Sequence, residues 1–158
     1  MFNTCIEVVL EPSFEIDPPR IRCWMDHLEA TDIVLDEPKT IIINEVMSPT
    51  AHSIFVEFYN KTIEDSQLGL KDKAVIIKDV RIEGLSTTKI SQGIYLPQFP
   101  EPWASQQREQ GIDLFEEFKH STYMGWNGQW IFDFAVPIYD WIHRTENLGF
   151  AYSRHNLT

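Results

Sequence analysis

The side chains with the clearest potential for chemistry lie in an acidic segment between two strand-like runs, His52–Tyr59 and Ala74–Glu83. Asn60, Asp65 and Asp72 in this segment carry amide and carboxylate oxygens, the ligands that calcium prefers, and calcium takes about six to eight of them. A loop that leaves a rigid sheet is a common position for a metal or sugar site. We therefore predict these three residues as metal ligands. A solvated loop without metal is the alternative, because lysines lie among the acidic residues.

Four aromatic side chains have the chemistry to stack on sugar rings, since aromatic faces suit the apolar faces of sugars. They are Trp126, Tyr123, Trp103 and Trp141. We predict them as binding residues. The alternative for each is a place in the core or in a protein interface.

Catalytic motifs are missing from the sequence. The five histidines show no metal-binding spacing, and there is no GxSxG, P-loop or dinucleotide-binding pattern. The carboxylates are isolated, so spacing does not select a glycosidase pair. We therefore expect a protein that is not an enzyme.

The charge of the chain restricts its partners. Acidic residues outnumber basic ones by 24 to 13, and the formal net charge is −11. A surface this acidic repels phosphate groups, so we expect neither nucleic acid nor a membrane as partner. No apolar run is long enough to span a bilayer, and the first residues lack the features of a signal peptide. We expect synthesis in the cytoplasm without secretion.

Short apolar runs with alternating side chains recur along the chain and are separated by prolines, which is typical of β-strands in a sandwich. The predicted strands are Thr4–Leu10, Arg20–Met25, Asp32–Leu35, Thr40–Val46, His52–Tyr59, Ala74–Glu83, Tyr123–Trp126, Gln129–Ala135 and Ile138–His143. The length of 158 residues fits a single domain, 1–158. We predict an all-β fold: a single antiparallel β-sandwich, jelly-roll or immunoglobulin-like.

A hairpin is predicted near the C-terminus. The pair Asn127-Gly128 favours a type I′ turn between the strands on either side. In the register of that turn, Tyr123 shares the core face with Trp130. Met124 and Trp126 then lie on the opposite face, where a partner can reach them.

The side-chain alternation changes phase within the run Ala74–Glu83. Val75 and Ile77 have one parity, whereas Val80 and Ile82 have the other. A β-bulge between the two pairs would place all four side chains on one face. An error in the assumed register is the alternative.

The segment Leu85–Thr122 lacks clear strand alternation, and we predict it as one long excursion between strands. Within it, Pro102–Phe118 is predicted as a short helix, because proline suits the first helical position. Gly111 weakens the middle of that helix. An excursion this long in a compact domain is usually functional or forms an interface.

Cys5 and Cys23 lie on separate predicted strands. Two cysteines without metal-binding spacing favour reduced core residues. A disulfide between neighbouring strands is the alternative, so the sequence leaves the disulfide state open.

The run His52–Asn60 alternates up to a terminal asparagine, and the run Asp72–Gly84 starts with aspartate and ends with glycine. Together they resemble the core of calcium-dependent xylan-binding carbohydrate-binding modules. The resemblance implies a β-sandwich whose loops hold calcium that binds sugar hydroxyls. It therefore implies calcium as a cofactor and glycans as partners.

Three other segments, Pro100–Gly111, Tyr123–Gly128 and Thr145–Gly149, are similar to small proteins of contractile-tailed phages of marine cyanobacteria. This resemblance implies a location in the virion. It also implies other virion proteins as partners, in multiple symmetric copies.

The two resemblances lead to two hypotheses for function. In the first, the chain is a structural virion protein, docked on head, neck or tail, with a carbohydrate-binding-like surface. In the alternative, it is a calcium-dependent, lectin-like module that recognises host surface glycans. The first needs no metal and the second does, so the predicted cofactor is calcium or none.

Overall fold

The computed structural model describes residues 1–13, 17–62, 73–87 and 93–145. These residues form eleven strands and two helices. The strands are β1 (Phe2–Pro12), β2 (Arg20–Met25), β3 (Thr31–Val34), β4 (Lys39–Met47), β5 (Ala51–Phe58), β6 (Val75–Ile82), β7 (Leu85–Ser86), β8 (Ile94–Pro97), β9 (Phe118–Lys119), β10 (Tyr123–Met124) and β11 (Gly128–Ala135). The helices are α1 (Trp103–Glu109) and α2 (Ile138–Thr145).

The strands form two antiparallel sheets. In the five-stranded sheet the order is β10-β6-β1-β4, and β7 also pairs with β6. In the six-stranded sheet the order is β3-β2-β5-β11-β8-β9. The prediction of an all-β antiparallel sandwich is confirmed.

The core consists of the inward-facing side chains of both sheets. In β5, Ile54, Val56 and Phe58 are buried while the residues between them are half-buried, as expected for a strand with one face on the core. In β11, the buried partners include Trp130 and Phe132. The buried side chains of the two sheets form one cluster.

The change of phase in β6 is a β-bulge, as predicted. Val9 of β1 pairs with Asp79, and the next residue of β1, Leu10, pairs with Ile77. Lys78 therefore lies opposite no residue of β1. The extra residue restores the inward direction of the apolar side chains on both sides of it, and Val75, Ile77, Val80 and Ile82 are all buried.

The predicted hairpin around Asn127-Gly128 is wrong. Tyr123–Met124 pairs with β6 in the other sheet, so this turn joins the two sheets. Met124 is completely buried and Tyr123 is 49% exposed, the reverse of the predicted faces. A type I′ turn needs positive φ at both central residues, and here only the glycine of the pair has it. Trp130 is in the core, as predicted.

The predicted C-terminal strand Ile138–His143 is wrong as well, because these residues lie in helix α2. Their β-branched and aromatic residues favour a strand by propensity. However, Ile138 and Trp141 are spaced three apart and are the buried residues of the helix, the spacing of a helical apolar stripe. The helix also has Asp140 in its first turn and Arg144 in its last, which suits the helix dipole.

The excursion Leu85–Thr122 contains more sheet than predicted. Ile94–Pro97 is a strand that pairs with β11, and its four residues are too few to show alternation clearly. The predicted helix exists but is limited to Trp103–Glu109. Gly111 follows it with φ of +79°, a backbone conformation that glycine adopts without strain and that ends helices.

Both cysteines are free: Cys5 is half-buried and Cys23 is buried. Burial raises the pKa of the Cys23 thiol to about 12, so it is a core residue of low reactivity. Neither helix in the described ranges has the length and apolarity to cross a bilayer.

Candidate glycan-binding face

The outer face of the six-stranded sheet presents two parallel rows of side chains. Antiparallel pairing places Arg22 beside Glu57 and Trp24 beside Phe55. It also places β11 residues beside β5, so that both rows continue across three strands. We call this surface the sheet platform, and it consists of Arg22, Trp24, Phe55, Glu57, Gln129 and Ile131.

The first row of the sheet platform is apolar. The rings of Trp24 and Phe55 are stacked, with centroids 5.0 Å apart and an angle of 10° between their planes. Ile131 is the partner of Phe55 on the next strand, and Ile94 of β8, just beyond the sheet platform, is the partner of Ile131 and continues the row. All four side chains are half-buried. The row is therefore a flat apolar strip that remains accessible to a ligand.

The second row is polar and its side chains hold one another in place. Arg22 Nη1 lies 2.8 Å from Glu57 Oε1. Gln129 Nε2 donates to the other carboxylate oxygen, Glu57 Oε2, at 3.2 Å. Since both oxygens of Glu57 are engaged by neighbours, the three side chains are oriented before any ligand binds.

An acidic and an aromatic side chain extend the polar row towards β3. Asp32 Oδ2 lies 3.5 Å from Arg22 Nε, and the Tyr59 hydroxyl donates to Asp32 Oδ1 at 2.6 Å. The Arg22 guanidinium also lies 4.0 Å from the centre of the Tyr59 ring. The hydrogen bond to Glu57 raises the pKa of Arg22, and the one to Asp32 raises the pKa of Tyr59. Both groups therefore remain protonated donors at neutral pH.

This arrangement suits a polymer of neutral sugars. A pyranose ring has an apolar face that can lie on the strip of Trp24 and Phe55. Its hydroxyl groups both donate and accept hydrogen bonds. The polar row offers carboxylate acceptors and guanidinium and amide donors along the same line.

The four aromatic residues predicted from sequence lie outside the sheet platform. Trp141 is only 9% exposed, and its ring contacts Phe132 in the core. Trp126 is half-buried, with Lys61 Nζ 5.2 Å from its ring centre. Tyr123 and Trp103 are exposed at other positions. Their role in binding stays a prediction.

The predicted metal ligands are only partly described. Asp65 and Asp72 lie outside the described residues. Asn60 Oδ1 accepts the backbone N–H of Arg20 at 2.7 Å, and its amide nitrogen donates to the Pro18 carbonyl. The amide of Asn60 thus already joins two segments of backbone.

Two buried ammonium groups lie beside Asn60. Lys61 Nζ donates to the Gly125 carbonyl at 2.6 Å, and Lys73 Nζ lies 2.9 Å from Asp17 Oδ2. Both side chains are almost fully buried. In the described ranges, no three His, Cys, Asp or Glu side chains cluster as a metal site. Both ammonium groups are held by protein oxygens, and the described residues at this end of the sandwich do not by themselves assemble a set of calcium ligands.

Sequence reasoning missed the sheet platform, although a signal for it exists. Arg22 and Trp24 alternate with buried residues in β2, and Phe55 and Glu57 alternate with buried residues in β5. The alternation shows which residues face outward. It does not show that β2 and β5 are neighbours, and that pairing brings Trp24 to Phe55.

Comparison with known proteins identifies the fold. No family model matches the sequence, and no curated protein matches it. Among solved structures, the carbohydrate-binding module vCBM60 in complex with galactobiose matches with a TM-score of 0.52 and 11% identity, over 81% of this chain and 96% of that module. The chain has the fold of these modules. A selenomethionine form of vCBM60 also matches, with a TM-score of 0.51 and 13% identity, over 82% of this chain and 89% of the module. That structure belongs to work linking two families of calcium-dependent carbohydrate-binding modules by circular permutation.

Proposed function

We propose that this protein is a non-catalytic, glycan-binding β-sandwich that binds neutral oligosaccharides on the sheet platform. The observation that carries the proposal is the stacked pair Trp24 and Phe55 beside the oriented polar row. The fold, shared with a module that binds galactobiose, supports the same ligand class.

The net charge of −11 restricts the ligand further. Acidic polysaccharides are repelled by such a surface, whereas neutral ones are not. The flat strip across three strands favours an extended chain of sugars over a single one.

The test is calorimetric titration of the protein with galactobiose and with longer neutral oligosaccharides. Trp24→Ala is expected to weaken binding by about two- to tenfold, since a stacked ring contributes about 0.5–1.5 kcal/mol beyond its area. Tyr139→Ala is the matched control, because that ring is 64% exposed and lies on α2, outside the sheet platform. Absence of binding to any neutral glycan, or equal losses in both variants, would overturn the proposal.

Calcium-dependent binding, as in the second matched module, is the alternative route to a glycan. Under that route, chelation abolishes binding, and calcium raises the melting temperature because it binds only the folded state. Binding on the sheet platform predicts that chelator changes neither. The same titration with and without chelator therefore separates the two routes.

Docking within a virion is a second proposal, favoured by the aromatic residues around α1. Phe115 is 61% exposed and contacts the ring of Phe118, and Trp103 contacts Phe99. Exposed aromatic residues are typical anchors of protein interfaces. In this proposal the protein is located in the virion and binds other virion proteins.

The docking proposal is tested with purified particles of a phage that encodes the chain. The protein should co-purify with them, and Phe115→Ser should release it while Tyr139→Ser, at another exposed ring, should not. Particles that lack the protein would exclude this role.

A further inference from the structure

The longest free sheet edge in the described part of the chain is strand β4. It pairs with β1 along nine residues on one side, and no other described strand pairs with its second side. The other edge strands have two to four residues. An edge strand exposes a row of N–H and C=O groups, which is a template for another strand.

The usual protection of such an edge is missing from the centre of β4. Natural proteins place lysine, proline or a bulge there. The residues 40–44 contain no charge and no proline, and the pairing with β1 continues without a bulge. Two apolar side chains on the outer face are well exposed, Ile42 at 60% and Val46 at 58%.

We propose that two copies of this chain associate through β4, antiparallel across a two-fold axis at Asn44. In this register Ile42 of each copy lies opposite Val46 of the other. Both exposed apolar side chains thus gain a partner, and the two Asn44 amides can hydrogen-bond to each other at the axis.

Other two-fold registers fit less well. An axis at Ile42 leaves Val46 without a partner in the opposing strand. An axis at Ile43 places Ile42 opposite Asn44 and Val46 opposite Thr40, so each apolar side chain meets a polar one. Only the axis at Asn44 pairs the two exposed apolar residues, and Glu45 then lies opposite Ile43 and meets no like charge.

The interface is small because it consists of about one strand from each copy. Interfaces of this size are at the weak end of specific association. The dimer is therefore reversible, and its two-fold symmetry closes it without further growth. It does not depend on glycan binding by the sheet platform.

The test is sedimentation equilibrium over about 1 µM to 1 mM, a range that covers weak association. The wild type is expected to dimerise with rising concentration. Asn44→Lys should abolish the dimer, because two ammonium groups would face each other at the axis. Gln106→Lys is the matched control, since Gln106 is exposed on α1, outside both sheets, and this variant makes the same charge change. A wild type that stays monomeric, or a dimer that Asn44→Lys leaves intact, would overturn the proposal.

Cysteine cross-linking tests the register in a Cys5→Ser background, because Cys5 pairs with Asn44 within one copy. Under mild oxidation Asn44→Cys should give a covalent dimer, since residues at the axis bring their Cβ atoms close together. Ile42→Cys should give much less. Preferential cross-linking of Ile42→Cys would show that the proposed register is wrong.

Discussion

The imidazole of His52 and the carboxylate of Asp26 form a short pair, with Nδ1 and Oδ2 2.6 Å apart and the His52 side chain only 9% exposed. The other ring nitrogen, Nε2, lies 2.9 Å from the Ser48 carbonyl. A carbonyl oxygen only accepts hydrogen bonds, so Nε2 must donate. Asp26 Oδ2 accepts from Nδ1 in the same way, so the two partners together favour the doubly protonated, positively charged imidazole.

Stability should therefore depend on the charge of His52. Burial lowers the pKa of His52, but the hydrogen bonds to Ser48 and Asp26 and the Asp26 charge raise it, and the net pKa is above its ordinary value. Because the pKa of His52 is raised in the folded state, its protonation stabilises the fold, and this stabilisation is fully present below about pH 6.5, the histidine pKa in the unfolded chain. That stability is lost as the pH rises through the folded value.

Denaturant unfolding at about pH 6 and about pH 8, on either side of the ordinary histidine pKa of about 6.5, measures this effect. The wild type should lose free energy of unfolding between the two, and His52→Gln should lose less. His27→Gln, at an exposed histidine, should behave like the wild type. An unchanged pH dependence in His52→Gln would contradict the assignment.

Gly93 provides the space for Trp130. A Cβ atom added at Gly93 would lie 2.1 Å from Trp130 Cε2, whereas one added at Gly125 would meet its nearest neighbour, the exposed Tyr123 ring, at 3.0 Å. Gly93→Ala should therefore lower the free energy of unfolding by about 1–3 kcal/mol, the usual cost of overpacking. Gly125→Ala should cost less because the Tyr123 ring can move. Equal losses in the two variants would show that the contact with Trp130 is not the cause.

Trp130 itself should be among the most costly core residues. It is 2% exposed, and its Nε1 donates to the Ser121 carbonyl at 2.8 Å. Trp130→Ala should lower the free energy of unfolding by about 3–5 kcal/mol, measured by urea denaturation. Trp103→Ala, at an exposed tryptophan, should cost much less, and similar losses would contradict this placement.

Lys61 joins the end of β5 to the turn before β11. Its Nζ donates to the Gly125 carbonyl, and its backbone exchanges two hydrogen bonds of 2.8 Å with the Asn127 side chain. Lys61→Met keeps the backbone bonds but removes this donor from the half-buried Gly125 carbonyl, so it should lower the free energy of unfolding by about 1–3 kcal/mol.

Thermal unfolding measures the effect of Lys61→Met, with Lys119→Met as control because Lys119 is exposed. A lower melting temperature is expected only in the first variant. An unchanged melting temperature in Lys61→Met would show that the ammonium group contributes little to the fold.

Strand alternation could be predicted from sequence because it is a local property. The inward residues of β5 and the bulge in β6 both follow from which neighbours in the chain are apolar. By contrast, the strand Tyr123–Met124 is only two residues long, too short to show alternation, and the nearby Asn127-Gly128 pair indicates a hairpin that does not form. Its pairing with β6 depends on residues almost 50 positions away in the chain, and local pattern contains no information about them.

The class of fold, the excess of acidic residues and the faces of the long strands follow from the sequence alone, since period-two alternation and charge are read residue by residue. Which strands are neighbours depends on the tertiary structure. Tertiary packing places Trp24 against Phe55, leaves β4 at a sheet edge and stabilises Ile138–Thr145 as a helix against the core. These outcomes depend on packing between distant segments, whose free energy exceeds the small local propensities of the residues involved.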